Sequence, residues 1–145
     1  MIRQMLLTCV AVILCLCSPI RGTPQQEGKG AIWAAVGIND LLFREGFTDS
    51  LQIFFTLVND GNKTVDPQLL STRIMVNGRE LEDSAFILGN GPCGPNCESL
   101  PPGETVGRTL AIGRYFQKPG IYKVSFESPS FKTPTIMFRV LAVRK

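Results

Sequence analysis

From residue 31 onward the sequence is a series of short apolar runs separated by turn-forming residues. None of these runs keeps a 3.6-residue period over the length of a helix, and this spacing is typical of a β-sandwich or barrel. We therefore predict an all-β domain with about seven antiparallel strands in a sandwich. The seven candidate strands are residues 31–38, 50–59, 72–76, 79–81, 105–112, 121–127 and 135–143, and residues 85–88 are a further short candidate.

The alternation of side chains within the strands predicts which faces are buried. In residues 50–59 the inward-facing residues are expected to be Ile53, Phe55 and Leu57. Phe54 falls on the opposite face and is the expected exposed aromatic. Asn77 and Gly78 follow the third candidate strand, and this pair tolerates the positive φ angles of a tight hairpin turn. A second turn is expected at residues 113–116.

The N-terminal segment resembles a signal for export. Arg3 supplies a positive charge, and residues 5–17 form an apolar run of 13 residues. About 20 residues are needed to span a membrane, so the run fits a signal peptide better than an anchor. We expect a signal peptide at residues 1–22, a flexible leader at 23–30 and one domain at 31–145. Retention as a membrane anchor and lipidation at Cys15 or Cys17 are the alternatives.

Charge and composition limit the classes of function. Histidine is absent, which excludes a Ser-His-Asp or Cys-His catalytic set and histidine ligation of zinc. Without Arg3 and Arg21, 13 basic residues face 12 acidic ones, a net charge of +1. This balance gives no reason to expect nucleic acid as a partner. The basic residues expected on solvated faces and strand edges are Arg73, Arg79, Arg108 and Arg114.

Residues 89–103 (GNGPCGPNCESLPPG) form the outstanding loop, with four glycines, four prolines and two cysteines. Such a composition cannot continue a strand or a helix, and long loops in compact domains are often functional. Cys93 and Cys97 are expected to form a disulfide after export. A redox-active pair, a zinc site and intermolecular disulfides are the alternatives. The candidate binding residues of the loop are Asn90, Pro92, Pro95, Asn96 and Glu98.

Two clusters of acidic residues and one asparagine motif are the remaining candidates for binding an ion or carrying a modification. The acidic clusters are Asp60, Asn62 and Asp66 in one turn and Glu80, Glu82 and Asp83 in another. Neither matches the loop pattern of a calcium site, so we interpret them as turn caps and predict no bound metal and no cofactor. Asn62-Lys63-Thr64 matches the acceptor motif for N-glycosylation in an expected loop.

Tyr122 follows Pro119-Gly120 at the start of the second-to-last strand, an arrangement that resembles the tyrosine corner of immunoglobulin-like folds. Residues 54–61 (FFTLVNDG) and 100–104 (LPPGE) are similar to exported bacterial domains of immunoglobulin-like or fibronectin-like type. The resemblance implies an immunoglobulin-like β-sandwich over residues 31–143 and a Tyr122 hydroxyl bonded to backbone a few residues upstream. The sequence departs from antibody domains because it lacks their inter-sheet cysteine pair and carries Trp33 in its first strand.

These observations favour a non-catalytic protein-interaction module that is secreted or lies in the periplasm or cell envelope. We expect an unknown extracytoplasmic protein or envelope component as its partner, and no enzyme activity. One alternative is a structural or chaperone-like envelope subunit that offers a sheet edge, for which residues 135–143 are the most apolar candidate. Another is an inhibitor of an extracellular hydrolase that inserts the loop at residues 89–103 into its target.

Overall fold

Eight strands form two sheets in residues 32–90 and 94–143, the part of the chain that this computed structural model describes. The predicted signal peptide and leader, Pro92 and Cys93 lie outside the described residues. The strands are β1 (Ile32–Ile38), β2 (Leu42–Arg44), β3 (Gln52–Asn59), β4 (Arg73–Val76), β5 (Arg79–Glu80), β6 (Thr105–Ala111), β7 (Gly120–Glu127) and β8 (Ile136–Leu141). Helix α1 spans Ser84–Gly89, and 3₁₀ turns cover Leu69–Ser71 and Gly113–Tyr115.

The three-stranded sheet has the order β1-β3-β6, and the five-stranded sheet has the order β2-β8-β7-β4-β5. All neighbouring strands are antiparallel except β2 and β8, which are parallel. The prediction of a β-rich, two-sheet structure is therefore confirmed. The order of the strands places β3 at the centre of the smaller sheet and β7 at the centre of the larger one.

The core lies between the two sheets and consists of alternate residues of the central strands. The predicted inward residues Ile53, Phe55 and Leu57 are all 1% exposed or less. Phe55 of β3 meets Phe126 of β7 with ring centroids 4.7 Å apart, so the two sheets contact directly through aromatic side chains. Each fully buried side chain of this size contributes about 1.5–3 kcal/mol.

The predicted hairpin joins β4 to β5. Asn77 and Gly78 have φ angles of 50° and 80°, the left-handed conformation that the pair was expected to adopt. Asn77 is also bonded to the neighbouring strand β7, since its Oδ1 accepts from the amide of Lys123 at 2.9 Å. The turn therefore fixes the register of the sheet edge as well as reversing the chain.

The prediction of a short strand at residues 85–88 is wrong, because these residues lie in α1. Ser84 and Leu88 are buried while the residues between them are mostly exposed, and a spacing of four corresponds to one helical turn. The Ser84 hydroxyl accepts from the amide of Ile74 at 3.0 Å and donates to the carbonyl of Leu81 at 2.6 Å. These bonds attach the start of α1 to Ile74 of β4.

Strand β2 was not predicted, because three residues are too short to give a periodic signal. Its central residue, Phe43, is buried and pairs with Val140 of β8. The candidate edge strand at residues 135–143 is therefore not an edge over its C-terminal half. β2 covers β8 from Arg139 to Leu141 on the side away from β7.

A close backbone contact holds the loop before β3 against the turn after β6. Thr48 is fully buried, and its hydroxyl donates to the carbonyl of Gly113 at 2.9 Å. A Cβ at residue 113 would overlap the carbonyl oxygen of Thr48, so only glycine allows this approach. Gln117 donates to the Thr48 hydroxyl at 2.7 Å, which completes the contact.

Asn59, fully buried at the end of β3, connects two loops. Its Nδ2 donates to the carbonyls of Lys63 and Leu100, both at 2.8 Å, and its Oδ1 accepts from the amide of Gly61 at 3.0 Å. Its backbone amide donates to Glu104 at 3.1 Å. One side chain therefore fixes the turn after β3 and the end of the cysteine-containing loop.

We expect Asn59→Ala to lower the free energy of unfolding by about 2–3 kcal/mol, because it removes three hydrogen bonds and leaves buried polar groups without partners. Urea titration monitored by circular dichroism measures this value. Asn62→Ala is the matched control, since Asn62 is exposed in the same turn and should change stability by less than about 0.5 kcal/mol. Equal effects of the two substitutions would contradict the role of Asn59.

Candidate interaction surfaces

The described part of the loop at residues 89–103 is packed against the body of the protein. Leu100 is fully buried and forms a β-bridge with Val65, with amide-to-carbonyl distances of 2.8 and 3.1 Å. The Asn96 side chain donates to the carbonyl of Thr105 at 3.0 Å. These contacts leave Pro95 and Glu98 exposed on a supported turn.

Cys97 is buried, at 5% exposed, and takes part in a disulfide bond. Its expected partner, Cys93, lies outside the described residues, so the pairing of these two residues stays a prediction. The same applies to a binding role for Pro92. Asn90 is exposed and follows directly after α1.

The Tyr122 hydroxyl donates a hydrogen bond, 2.7 Å long, to the carbonyl of Lys118, which lies four residues upstream. This is the bond that the resemblance to immunoglobulin-like folds implies. The ring packs against Phe116 and Phe138, with centroids 5.0 and 5.4 Å away. Burial raises the pKa of the Tyr122 hydroxyl above its usual value of 10.0. Tyr122 is thus a structural residue that fixes the entry into β7.

Replacing Tyr122 by Phe should lower the free energy of unfolding by about 0.5–1.5 kcal/mol, because the ring packing stays and one hydrogen bond is lost.

The raised pKa of Tyr122 also makes the stability of the parent protein depend on pH. Above pH 10 the unfolded chain loses the tyrosine proton before the folded one does, so the parent should lose stability with rising pH more steeply than Tyr122→Phe. Urea titrations at pH 7 and above pH 10 measure both effects, and identical pH profiles would contradict this assignment.

The acidic clusters act as parts of the fold. Asp83 accepts a hydrogen bond from the hydroxyl of Tyr115 at 2.8 Å, and that hydroxyl accepts one from Arg114 at 2.6 Å. Asp66 accepts from the amide of Gln68 at 2.7 Å. Within residues 32–90 and 94–143, no group of three or more histidine, cysteine or acidic residues could hold a metal ion. Asp66 therefore caps a turn, and Asp83 accepts a hydrogen bond from the turn at Gly113–Tyr115.

The outer face of the three-stranded sheet has no charged residue. Strand pairing places Trp33 beside Val58 and Thr105, and Gly37 beside Phe54 and Thr109. We call this surface the neutral face. Its members are Trp33, Ala35, Gly37, Gln52, Phe54, Thr56, Val58, Thr105, Gly107, Thr109 and Ala111. Trp33 and Phe54 are 37% and 45% exposed, so two aromatic side chains lie exposed among uncharged residues.

The outer face of the five-stranded sheet is different in character, and we call it the basic face. It carries four basic side chains among exposed apolar ones. The basic residues are Arg44, Arg73, Lys123 and Arg139, and the exposed apolar ones are Leu42, Ile121 and Met137. Two acidic residues, Glu80 and Glu127, lie on the same face, and Glu127 forms an ion pair with Lys132 at 2.8 Å, so the charge of the face is mixed with a positive excess. The two outer faces of the sandwich therefore offer partners opposite kinds of surface, one uncharged and one positively charged.

A shallow groove of about 320 Å³ lies between α1 and the free edge of β6. Phe86 and Ile87 line it on one side and Thr109 and Ala111 on the other. Arg108 points from β6 toward the core side, and its guanidinium donates to the carbonyl of Leu88 at the end of α1 at 2.6 Å. α1 therefore flanks this edge of the sheet.

The sequence identified individual members of these surfaces but not the surfaces themselves. Phe54 was correctly expected to be exposed, whereas Trp33 and Thr109 could not be placed on the same face. Their common face depends on which strands are neighbours, and β1, β3 and β6 are separated in sequence by up to 73 positions between Ile32 and Thr105. The sequence signal that could have indicated the neutral face was the absence of charged residues from 31–38 and from alternate positions of 50–59.

No protein-family model matches the sequence, and no curated protein matches it. Among solved structures, the chain is similar to the archaellum periplasmic stator protein FlaG from Sulfolobus acidocaldarius. The two chains are 17% identical with a TM-score of 0.41, and the alignment covers 74% of this chain and 99% of FlaG. A similarity at this TM-score does not establish a shared function.

Neither α1 nor any other helix in the described part of the chain has the length and hydropathy needed to cross a membrane.

Proposed function

We propose that this chain is a non-catalytic protein-interaction module of immunoglobulin-like type that works outside the cytoplasm and binds a partner through its neutral face. The observation that carries this proposal is the absence of charge across that face, with Trp33 and Phe54 exposed in it. Interface centres are depleted of charged residues and enriched in aromatic ones. The partner surface that fits is flat, uncharged and rich in small apolar groups.

Three observations support the immunoglobulin-like part of this proposal. The order β1-β3-β6 corresponds to the first, second and fifth strands of such domains, and β8-β7-β4 corresponds to the last, second-to-last and third strands. The Tyr122 hydrogen bond lies at the start of the second-to-last strand. The phenylalanine contact between β3 and β7 links the same pair of strands that the disulfide joins in antibody domains.

Two observations support a place outside the cytoplasm. The N-terminal run of residues 5–17 has the length of a signal peptide's apolar region. The disulfide bond at Cys97 fits an oxidising compartment, because thiols are kept reduced in the cytosol. Cleavage of residues 1–22 as a signal peptide remains a proposal.

Cross-linking of the protein in an envelope and secretome extract of its source, followed by mass spectrometry, tests the neutral face. Thr109→Lys puts a charge on that face at an exposed position, and we expect it to lower recovery of a specific partner by about tenfold or more. Phe54→Ala removes an exposed aromatic without adding charge and should also reduce recovery. Met137→Lys is the matched control, because it adds the same charge to an exposed position on the basic face.

The proposal requires that Thr109→Lys stay folded by circular dichroism and lose the partner while Met137→Lys retains it. If both lysine variants retain the partner, the neutral face is not the binding surface. If both lose it, the effect is one of net charge and the neutral face has no special role.

The loop at residues 94–103 is a second candidate surface. Pro95 and Glu98 are exposed on a turn that the buried Leu100 and Cys97 support, and a rigid loop loses little entropy on binding. This geometry would also suit the inhibitor of an extracellular hydrolase that the sequence allowed. Glu98→Lys in the same cross-linking experiment separates the two surfaces: partner loss with this variant, but not with Thr109→Lys, assigns binding to the loop.

A further inference from the structure

Strand β1 forms an edge of the three-stranded sheet that lacks the features by which proteins protect such edges. Exposed edges are normally shortened, charged, interrupted by proline or bulged, because their unpaired backbone groups can pair with another chain. β1 has seven residues, IWAAVGI, with neither charge nor proline. It pairs with β3 continuously and without a bulge from Ile32 to Ile38.

Each of the other edge strands has at least one protective feature. β2 has three residues and ends on Arg44, and β5 consists only of Arg79 and Glu80. β6 carries Arg108 at its centre, is flanked by α1, and its first carbonyl accepts a hydrogen bond from Asn96. Among the described strands, β1 is therefore the edge best suited to pairing with another strand.

The backbone groups of β1 that face away from β3 can be identified from the ladder. The amide of Asn39 donates to the carbonyl of Gln52 at 3.1 Å, which makes this a hydrogen-bonded pair. Such pairs alternate along antiparallel strands, so Gly37, Ala35 and Trp33 also bond to β3. The N–H and C=O groups of Ala34, Val36 and Ile38 then point to the open edge, where no described loop residue bonds to them.

We propose that β1 pairs antiparallel with β1 of a second copy of this chain, around a two-fold axis at Ala35. This inference rests on the edge and not on the function proposed for the neutral face. In this register Ala35 lies opposite the partner's Ala35. The outward backbone groups of Ala34 meet those of the partner's Val36, and residues 33–37 of each strand are paired.

The side chains fit the same register. Trp33 lies opposite the partner's Gly37, a position without a side chain. A Cβ there would overlap the ring of Phe54, which covers the glycine. Trp33 thus reaches a surface formed by the partner's Phe54 ring, and aromatic cross-strand pairs stabilise sheets. With no charge in β1, two copies meet without the like-charge repulsion that the basic face would impose.

The axis of such a pair is perpendicular to the sheet, so both neutral faces lie on the same side. Two three-stranded sheets become one six-stranded sheet with a continuous uncharged surface. This arrangement is isologous, and closed two-fold dimers are the commonest assemblies of soluble proteins.

The test uses Trp33 as a reporter, because it is the chain's sole tryptophan. Sedimentation of the full chain over a wide concentration range gives the dimer dissociation constant. We expect tryptophan emission to shift to shorter wavelength as dimer forms, since pairing buries the partly exposed indole. Ala35→Lys places two lysines opposite each other and should weaken the dimer about fivefold to tenfold. Thr109→Lys adds the same charge to the opposite edge of the sheet and should leave dimerisation unchanged.

A charge swap tests the register and controls for folding. Ala35→Lys and Ala35→Glu should each dimerise weakly, and an equal mixture of the two should restore association, because opposite charges then face each other across the axis. Restoration supports the proposal. A parent chain that stays monomeric at all concentrations overturns it. So does a dimer that Ala35→Lys leaves unchanged, or a mixture of folded variants that does not associate. Partner capture through the neutral face does not depend on any of these outcomes.

Discussion

The contact between Phe55 and Phe126 joins the two sheets, and the other features of the molecule depend on how it orients β3. With Phe55 directed into the core, the two-residue period of a strand directs Phe54 and Thr56 to the outside. One register therefore determines both the buried and the exposed surface of the smaller sheet. A shift by one residue would bury the neutral face and expose the core residues.

The outer faces of the two sheets differ in charge and in the length of their edge strands. The five-stranded sheet carries basic residues that keep its surface solvated, and its edge strands are short and charged. The three-stranded sheet carries no charge on its outer face, and one of its edges is a seven-residue apolar strand. Water solvates such a surface poorly. Burying it against another protein therefore releases more free energy than burying the basic face does.

The cysteine-containing loop illustrates how an unusual composition can have a structural cause. Its prolines and glycines exclude it from the sheets, and the sequence suggested a binding element for that reason. In the folded chain, Asn59 and Val65 hold the carbonyl of Leu100, and the end of the loop leads directly into β6. Much of the loop's composition therefore serves to pass from α1 to the smaller sheet, while its exposed turn at Pro95 and Glu98 remains free to contact a partner.

The sequence by itself determined the local features: the strand-rich character, the inward set Ile53, Phe55 and Leu57, the Asn77-Gly78 turn and the tyrosine at the start of β7. Each depends on side-chain period or on the backbone preference of one or two residues, which are local properties. The tertiary structure decided the features that depend on contact between elements distant in sequence. Residues 85–88 became helical because the chain crosses between sheets there, β2 formed because β8 offered it a partner, and residues distant in sequence met on the neutral face because β3 lies between β1 and β6. Strand order is a global property, and a single sequence carries little signal for it because any apolar strand can pair with many others.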